Sequence, residues 1–284
     1  MVTASNSVIA NGKFTIEIFN DPYNKRVRID DVRGDFDEAI VKAEELAKSS
    51  QAEKLIVKGR KEQFVSLLEK GFQCEAIIDQ YFLGSDGYFF CKYYSNDRKN
   101  SEYFIKEDEI VKNVQLLKTN IETISPPKEY KLTLIQKGDA VKLARLYKQV
   151  FEVYPTPLHD PEYIQKTIDE GTIYYAFAYE GNFVSAASAE VNSFYKNAEL
   201  TDCATLPDHR KYGLMKVLLQ KLEEQLVTNG VYCSYSIARA LSFGMNAALH
   251  QLGYNYRGRL INNCYIFDKI ENMNVWVKDL SKSN

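Results

Sequence analysis

The spacing of apolar residues predicts a helix over 36–49, a short strand over 54–57 and a second helix over 61–70, ended by Gly71 just past its last turn. Two strands, 76–83 and 88–94, follow as a hairpin across Gly84-Ser85-Asp86-Gly87. After the stretch Ile124-Ser125-Pro126-Pro127-Lys128, which cannot continue a helix, the pattern resumes with a strand over 130–134 and a helix over 139–151. Asp160-Pro161 reads as an N-cap with proline in the first helical position. Strands over 172–179, 183–191 and 198–205 come next, the first two joined by the turn Glu180-Gly181-Asn182. The stripe Leu214, Val217, Leu218, Leu222 and Leu226 marks a helix over 212–228, closed by Asn229-Gly230. A strand over 232–237, a helix over 243–252 and strands over 254–261 and 264–267 complete the chain.

This order makes the chain α/β with a mixed sheet, and the Pro-Pro stretch divides it into a small α/β domain, 1–125, and a larger one, 126–284. Leu68-Glu69-Lys70-Gly71-Phe72 echoes His250-Gln251-Leu252-Gly253-Tyr254. Each is preceded by helix, strand and helix and followed by a strand pair, so the first domain reads as a partial copy of the second domain's C-terminal half.

Composition narrows the classes. Among 284 residues, 45% are hydrophobic and 26% charged, an ordinary globular balance. Thirty-six Lys+Arg against 38 Asp+Glu give a net charge of −2, without the basic excess that nucleic acid attracts. No apolar run is long enough to span a bilayer and the N-terminus lacks the pattern of a secretion signal, so a cytoplasmic protein with no membrane partner is expected. Five scattered cysteines without C-x-x-C, and only three histidines, argue against a disulfide framework or a metal centre.

The segment from Ala198 to Met215 carries chemistry. A strand passes through a turn containing Arg210, Lys211 and Gly213 directly into a striped helix, so free backbone N–H groups and the helix dipole gather at one point and favour a phosphate. Arg210 is the better bidentate phosphate partner. Arg210-x-x-Gly213 in this position resembles the R/Q-x-x-G-x-G/A pyrophosphate loop of the GNAT superfamily of N-acetyltransferases, with Met215 standing where Gly or Ala is usual and Lys211 where a second Gly is common. The β-α-α-β-β-β-α-β-α-β-β order from residue 130 is similar to theirs as well. Further segments, including Tyr154-Pro155-Thr156-Pro157-Leu158-His159-Asp160-Pro161, 236–246, 257–264 and Glu271-Asn272-Met273-Asn274-Val275-Trp276, resemble the β-lysine N-acetyltransferase branch over both domains.

The resemblance implies a GNAT fold with a degenerate half-GNAT domain before it. It implies transfer of acetyl from acetyl-coenzyme A to the ε-amine of β-lysine, giving a compatible solute downstream of lysine 2,3-aminomutase. It also implies cofactor contacts from Cys203, Ala204 and Thr205 on the strand, from Arg210, Lys211, Tyr212, Gly213, Leu214 and Met215 in the loop, and from Asn246. Direct transfer needs a base for the ammonium and a donor for the thioester carbonyl. Glu199 resembles in position the base of the histone-acetylating members. Asp202 is the alternative base or ammonium anchor: strict alternation puts it on the face opposite Glu199, unless the bulge usual in this strand of the superfamily intervenes.

A lone strand cysteine such as Cys203 reads as a small buried hydrophobe. Leu249 occupies the place of the superfamily's acid tyrosine, His250 reads as structural, and Tyr254 and Tyr256 remain alternatives. Arg239, Arg257 and Arg259 are candidates for the substrate carboxylate, with Asn262 and Asn263 supplying neutral hydrogen bonds and Tyr154, His159 and Asp160 bordering the mouth. Three alternatives stay open for the first domain: a cap over the substrate site, the interface of a homodimer, or a stabilising element. Acetylation of another small amine or of a protein lysine, and a non-catalytic binding module, are the other function classes.

Overall fold

The computed structural model describes residues 4–120, 125–151, 156–266 and 269–282. In the first half β1 (Ser5–Ala10), β2 (Phe14–Asp21) and β3 (Arg26–Gly34) form an antiparallel meander, followed by α1 (Phe36–Ser49), β4 (Lys54–Gly59), α2 (Phe64–Glu69), β5 (Gln73–Phe82), β6 (Ser85–Tyr93), α3 (Asn96–Lys99) and α4 (Phe104–Gln115). The second half runs β7 (Lys131–Leu134), α5 (Ala140–Val150), α6 (Pro161–Asp169), β8 (Ile173–Tyr179), β9 (Asn182–Asn192) and β10 (Asn197–Thr205). It continues with α7 (Leu214–Thr228), β11 (Cys233–Arg239), α8 (Phe243–Gln251), β12 (Asn255–Ile266) and β13 (Lys269–Asp279). This is the order expected from residue 130 onward.

All thirteen strands join one mixed sheet in the order β1-β2-β3-β4-β6-β5-β12-β13-β11-β10-β9-β8-β7. The run β1-β2-β3-α1-β4-α2-β5-β6 has the topology of β8-β9-β10-α7-β11-α8-β12-β13. In each run the third and fourth strands pair in parallel and the other neighbours antiparallel. The topological correspondence therefore reaches three strands beyond the helix–strand–helix and hairpin expected. The halves meet at β5 and β12, where Gly258 (φ +131°) pairs with Ala76. A Cβ on Gly258 would sit 2.2 Å from the Glu75 carbonyl oxygen, so only glycine allows this approach.

Two expectations change. The strands of residues 5–34 went unread, because β3 sets Arg26, Arg28 and Asp30 alternately with Val27 and Ile29, and charges there mimic a solvated loop. The C-terminus is not two strands ending at 267. Asn262 and Asn263 lie in an irregular stretch of one long β12, with Asn262 at φ +42°, and β13 follows at 269–279.

α7 packs its leucine stripe against Ala198, Leu200 and Trp276, while α5 and α6 cover Tyr174, Ala176 and Ala186. A third cluster, with Tyr81, Phe82, Tyr195, Tyr235 and Val275, belongs to both halves. Polar ties reinforce it. The Tyr195 hydroxyl donates to Asp31 at 2.6 Å, Arg60 reaches both, and Asn197 Nδ2 donates to the Tyr81 carbonyl at 2.7 Å. Among the described residues no helix is long and apolar enough to cross a membrane.

Candidate active site

The site begins where two parallel strands part. β10 pairs with β11 only through Asn197, Ala198 and Glu199, although it stays paired with β9 as far as Thr205. Between Thr201 and Ala204 β10 carries one extra residue, and Asp202 takes φ +52°. Backbone direction in the gap follows from neighbouring bonds. The Leu200 carbonyl accepts from Ser236 of β11 at 2.7 Å, the Ala204 carbonyl accepts from Ser185 of β9, and Leu206 N–H donates to Val184 of β9. Alternation then turns the peptide groups of Cys203 and Thr205 toward the open gap. These are hydrogen-bonding groups without a neighbouring strand, suited to a ligand lying between β10 and β11.

Past Thr205 the chain makes a 3₁₀ turn, Pro207–Tyr212, and Gly213 enters α7 with φ +68° and no side-chain cap. The Lys216 N–H donates to the Gly213 carbonyl at 3.1 Å, and the amides of Leu214 and Met215 before it face the open start of a fifteen-residue helix, where they suit an anion. Arg210 is exposed, its Nε on the Thr205 carbonyl at 3.2 Å, and Lys211 is exposed with Nζ over the Tyr212 ring. His209 Nδ1 meets the Tyr130 hydroxyl at 2.7 Å and pins the turn to the body of the protein. Met215 packs into the α7 core and Leu214 is buried, so the donors here are backbone groups. The corresponding helix of the first half, α1, opens with Asp35 as N-cap and Asp37 and Glu38 in its first turn, a negative start that repels phosphate.

On the face covered by α5 and α6, Glu199 stands opposite Glu190 of β9. Burial pushes the Glu199 carboxyl up to about 7; Glu190 adds to the rise, while Lys58, Arg28 and a hydrogen bond with Tyr235 oppose it. Burial likewise raises Glu190, against the pull of Arg28 and Lys58, yet its side chain is open to solvent. The two carboxyls form an acidic pair beside the gap where β10 and β11 part, Glu190 exposed and Glu199 partly exposed. The bulge brings Asp202 to the same face, where it accepts from Ser188, two residues before Glu190, at 2.7 Å. It is buried, whereas Glu199 is partly exposed.

A model of the acetyltransferase (GNAT) family matches residues 140–254. The chain is 36% identical over 272 residues to N-acetyltransferase YodP of Bacillus subtilis strain 168, covering 96% of this chain and 98% of that one. It is 36% identical to the beta-lysine N(6)-acetyltransferase of Methanosarcina mazei, covering 88% and 100%, and 33% identical to that of Methanococcus maripaludis, covering 90% and 93%. The chain belongs to the GNAT acetyltransferase family. It is an acetyltransferase, and enzymes of this family use acetyl-coenzyme A. The uncapped start of α7, the two cations and the open edge of β10 fit a diphosphate followed by an extended amide-bearing arm.

Other residues expected at the site of this GNAT enzyme have structural occupations. Asn246, expected to touch the cofactor, is fully buried: Nδ2 donates to the Arg239 and Ser242 carbonyls, and Oδ1 accepts from Asn274 and the Trp276 indole. Its hydrogen-bonding capacity is spent. Arg239 holds Glu271 in a bidentate pair at 2.7 and 2.8 Å, Arg257 pairs with Asp79, and Arg259 with Glu107, Asp108 and Asn274. Asn262 donates to carbonyls at Asp97, Arg98 and Asn100, anchoring α3.

Arg257, Arg259 and Asn262, all on β12, are thus held by acidic or backbone partners of the first half. Asp160 caps α6 by accepting from Glu162 N–H, His159 is exposed just before that helix, and Tyr154 lies outside the described residues.

Burial pushes the Cys203 thiol up, unlike an activated nucleophile. Leu249 is buried in the core, His250 bonds the Leu117 carbonyl, and Tyr254 is buried on Ser234, so none of these stands free to protonate a leaving thiolate. Half-buried Tyr256 packs edge-on against Trp276. The residues sequence reasoning missed are Glu190, Tyr235 and the first-half group Arg28, Asp30 and Lys58. A cavity of about 370 Å³ lined by Gln73, Lys92, Tyr94 and Lys99 lies elsewhere and includes none of them.

Proposed function

We propose that this acetyltransferase moves the acetyl group of acetyl-coenzyme A to the ε-amine of β-lysine by direct attack in a ternary complex. The product would be Nε-acetyl-β-lysine, a compatible solute, with lysine 2,3-aminomutase supplying the substrate. The observation that carries this reading is the Glu190–Glu199 pair at the point where β10 and β11 diverge: two carboxyls side by side, suited to a diammonium acceptor, beside the open strand edge. The names of the two archaeal relatives support the same acceptor.

Bound acetyl-coenzyme A supplies an electrophilic thioester carbonyl. The start of α7 with Arg210 and Lys211 grips its diphosphate, and peptide N–H groups at Cys203 and Thr205 face the arm and carbonyl. Glu199, with a pKa of about 7, takes a proton from the acceptor ammonium, directly or through water; the free amine attacks the thioester carbonyl, the C–S bond breaks, and coenzyme A leaves as a thiolate that takes its proton from water. Asp202, fixed by Ser188, holds the bulge open. We also place the division between the two domains at Pro126-Pro127.

The test is thiol release from acetyl-coenzyme A with β-lysine, α-lysine, carboxylate-free diamines and a lysine peptide as acceptors. A kcat/KM for β-lysine well above the others is expected. Equal or better turnover of the peptide would sink the assignment.

A further inference from the structure

The first half carries a charged group, linked by contacts to the acidic pair, that the reaction itself does not need. Tyr235 is the register partner of Glu199 on β11, and its ring lies 5.8 Å from that of Tyr81 on β5. The Tyr81 hydroxyl accepts from Lys58 Nζ at 2.8 Å, Lys58 pairs with Asp30 at 2.7 Å, and Asp30 takes the Nε/Nη2 edge of Arg28 at 2.7 and 3.2 Å. A continuous path of contacts thus runs from β10 through the shared core to β3 and β4. The mutual influence of Arg28, Lys58, Glu190 and Glu199 on one another's protonation agrees with it.

Arg28 is held rigidly. Its guanidinium stacks 4.8 Å from the Phe19 ring and Asp30 fixes one edge of its fork, yet its side chain stays 27% exposed and Nη1 has no partner among the described residues. That leaves an edge with the geometry for a carboxylate. The charges also suit a bipolar ligand. Arg28 and Lys58 against Asp30 leave one positive charge at this end, and Glu190 with Glu199 offers two carboxylates at the other.

We infer that the first half of the chain supplies the acceptor's carboxylate subsite, with the free edge of Arg28 binding the carboxylate while Asp30 and Lys58 position it. The inference rests on the proposed reading of the reaction as acetylation of a small amino acid and names what selects it. The first half then acts as a selectivity wall of the site. It predicts that a diamine lacking the carboxylate meets the same acidic end but forfeits the anchor.

The experiment compares kcat/KM for β-lysine with that for 1,4-diaminopentane, the same diamine without its carboxylate, in the full-length enzyme. Wild type is expected to favour β-lysine. Arg28→Ala is expected to lower that preference by roughly 30-fold, chiefly through the KM of β-lysine, the size set by losing a charge-assisted pair. Arg28→Lys keeps a charge beside Asp30 without the planar fork, is expected to lose a large part of the preference, and carries the test if the alanine variant is unstable.

A preference that stays at the wild-type value in both variants overturns the inference, as does a wild type that does not distinguish the two acceptors. If another carboxylate-bearing amine proves the better acceptor, the β-lysine assignment fails alone. The same ratio, taken with that amine and its carboxylate-free analogue, then decides the role of Arg28.

Discussion

Glu190 and Glu199 face each other across the β9–β10 ladder, in the last register row where β10 still touches β11. Burial makes both carboxyls hold their protons longer than usual, and for Glu199 the like charge of Glu190 directly opposite adds to the rise. Activity and stability are set against each other at this one pair.

The activity profile should show it. If Glu199 is the base, kcat rises as pH rises through about 7, where its carboxyl ionises. Glu199→Gln should lower kcat by roughly 10²-fold or more and remove that acid limb. Glu190→Gln removes the like charge on β9, leaving Arg28, Lys58 and Tyr235 facing Glu199, so the limb should move to lower pH. The stability sign is opposite. A carboxyl whose folded pKa lies above its unfolded one, near 4.5, disfavours the folded state increasingly as pH rises through 4.5 to 7. Thermal melting should find Glu199→Gln more stable than wild type at pH 8, with the difference shrinking by pH 5. A flat kcat between pH 6 and 8 in wild type would sink the base assignment.

Cofactor affinity should depend on the α7 start. Removing Arg210 leaves Lys211 and the first-turn amides, so Arg210→Ala should raise the KM for acetyl-coenzyme A by roughly tenfold and leave the amine KM in place. Gly213→Ala puts a side chain at φ +68° on the same turn, at a conformational cost of about 1–2 kcal/mol, and should raise that KM further. Steady-state kinetics with each substrate varied separately would check both. A change confined to the amine KM would contradict the loop's role.

The order of the second half was legible because its helices and strands carry clean apolar periods and the Pro-Pro stretch and Gly213 punctuate them. The phosphate loop was legible for the same local reason: strand, basic turn, glycine and striped helix are contiguous. The acidic pair was not. Glu190 becomes a partner of Glu199 only once β9–β10 register is fixed, and Arg28 and Lys58 stand more than 130 residues away in the chain. The one available signal was the charge alternation of β3, Arg26, Arg28 and Asp30 against Val27 and Ile29, which has the period of a strand. Asn246 and the arginines at 239, 257 and 259 misled because polar residues near the ends of strands look like ligands until their partners are seen.

Asn246 provides a clean separation of structural from cofactor roles. Asn246→Leu keeps the volume but strands the buried Trp276 indole N–H and the Asn274 amide, while the Arg239 and Ser242 carbonyls keep the backbone N–H groups of Ser242 and residue 246. Unsatisfied buried groups cost about 1–3 kcal/mol each, so a loss of 2 kcal/mol or more, roughly 5 °C in Tm, is expected by denaturant and thermal unfolding. The folded enzyme should keep its KM for acetyl-coenzyme A. A raised KM at unchanged stability would return Asn246 to the cofactor site.

The seam between the halves should be the most sensitive point of all. Lys54 is fully buried on β4, its Nζ bonded to Glu75 Oε2 at 2.9 Å and to the Ile261 carbonyl at 2.7 Å, while the same carboxylate accepts from Ile261 N–H at 3.0 Å. One ion pair thus ties β4 and β5 to β12 across the join that Gly258 makes close. Taking away one partner abandons a charge where water cannot reach it, which costs about 3–5 kcal/mol, whereas replacing both with neutral groups of similar size removes the stranded charge along with the pair. Lys54→Met and Glu75→Gln should each destabilise strongly in urea unfolding, and the double variant should lose clearly less than the sum. Additive losses would show that the two side chains act independently and that the join is held by the backbone and core alone.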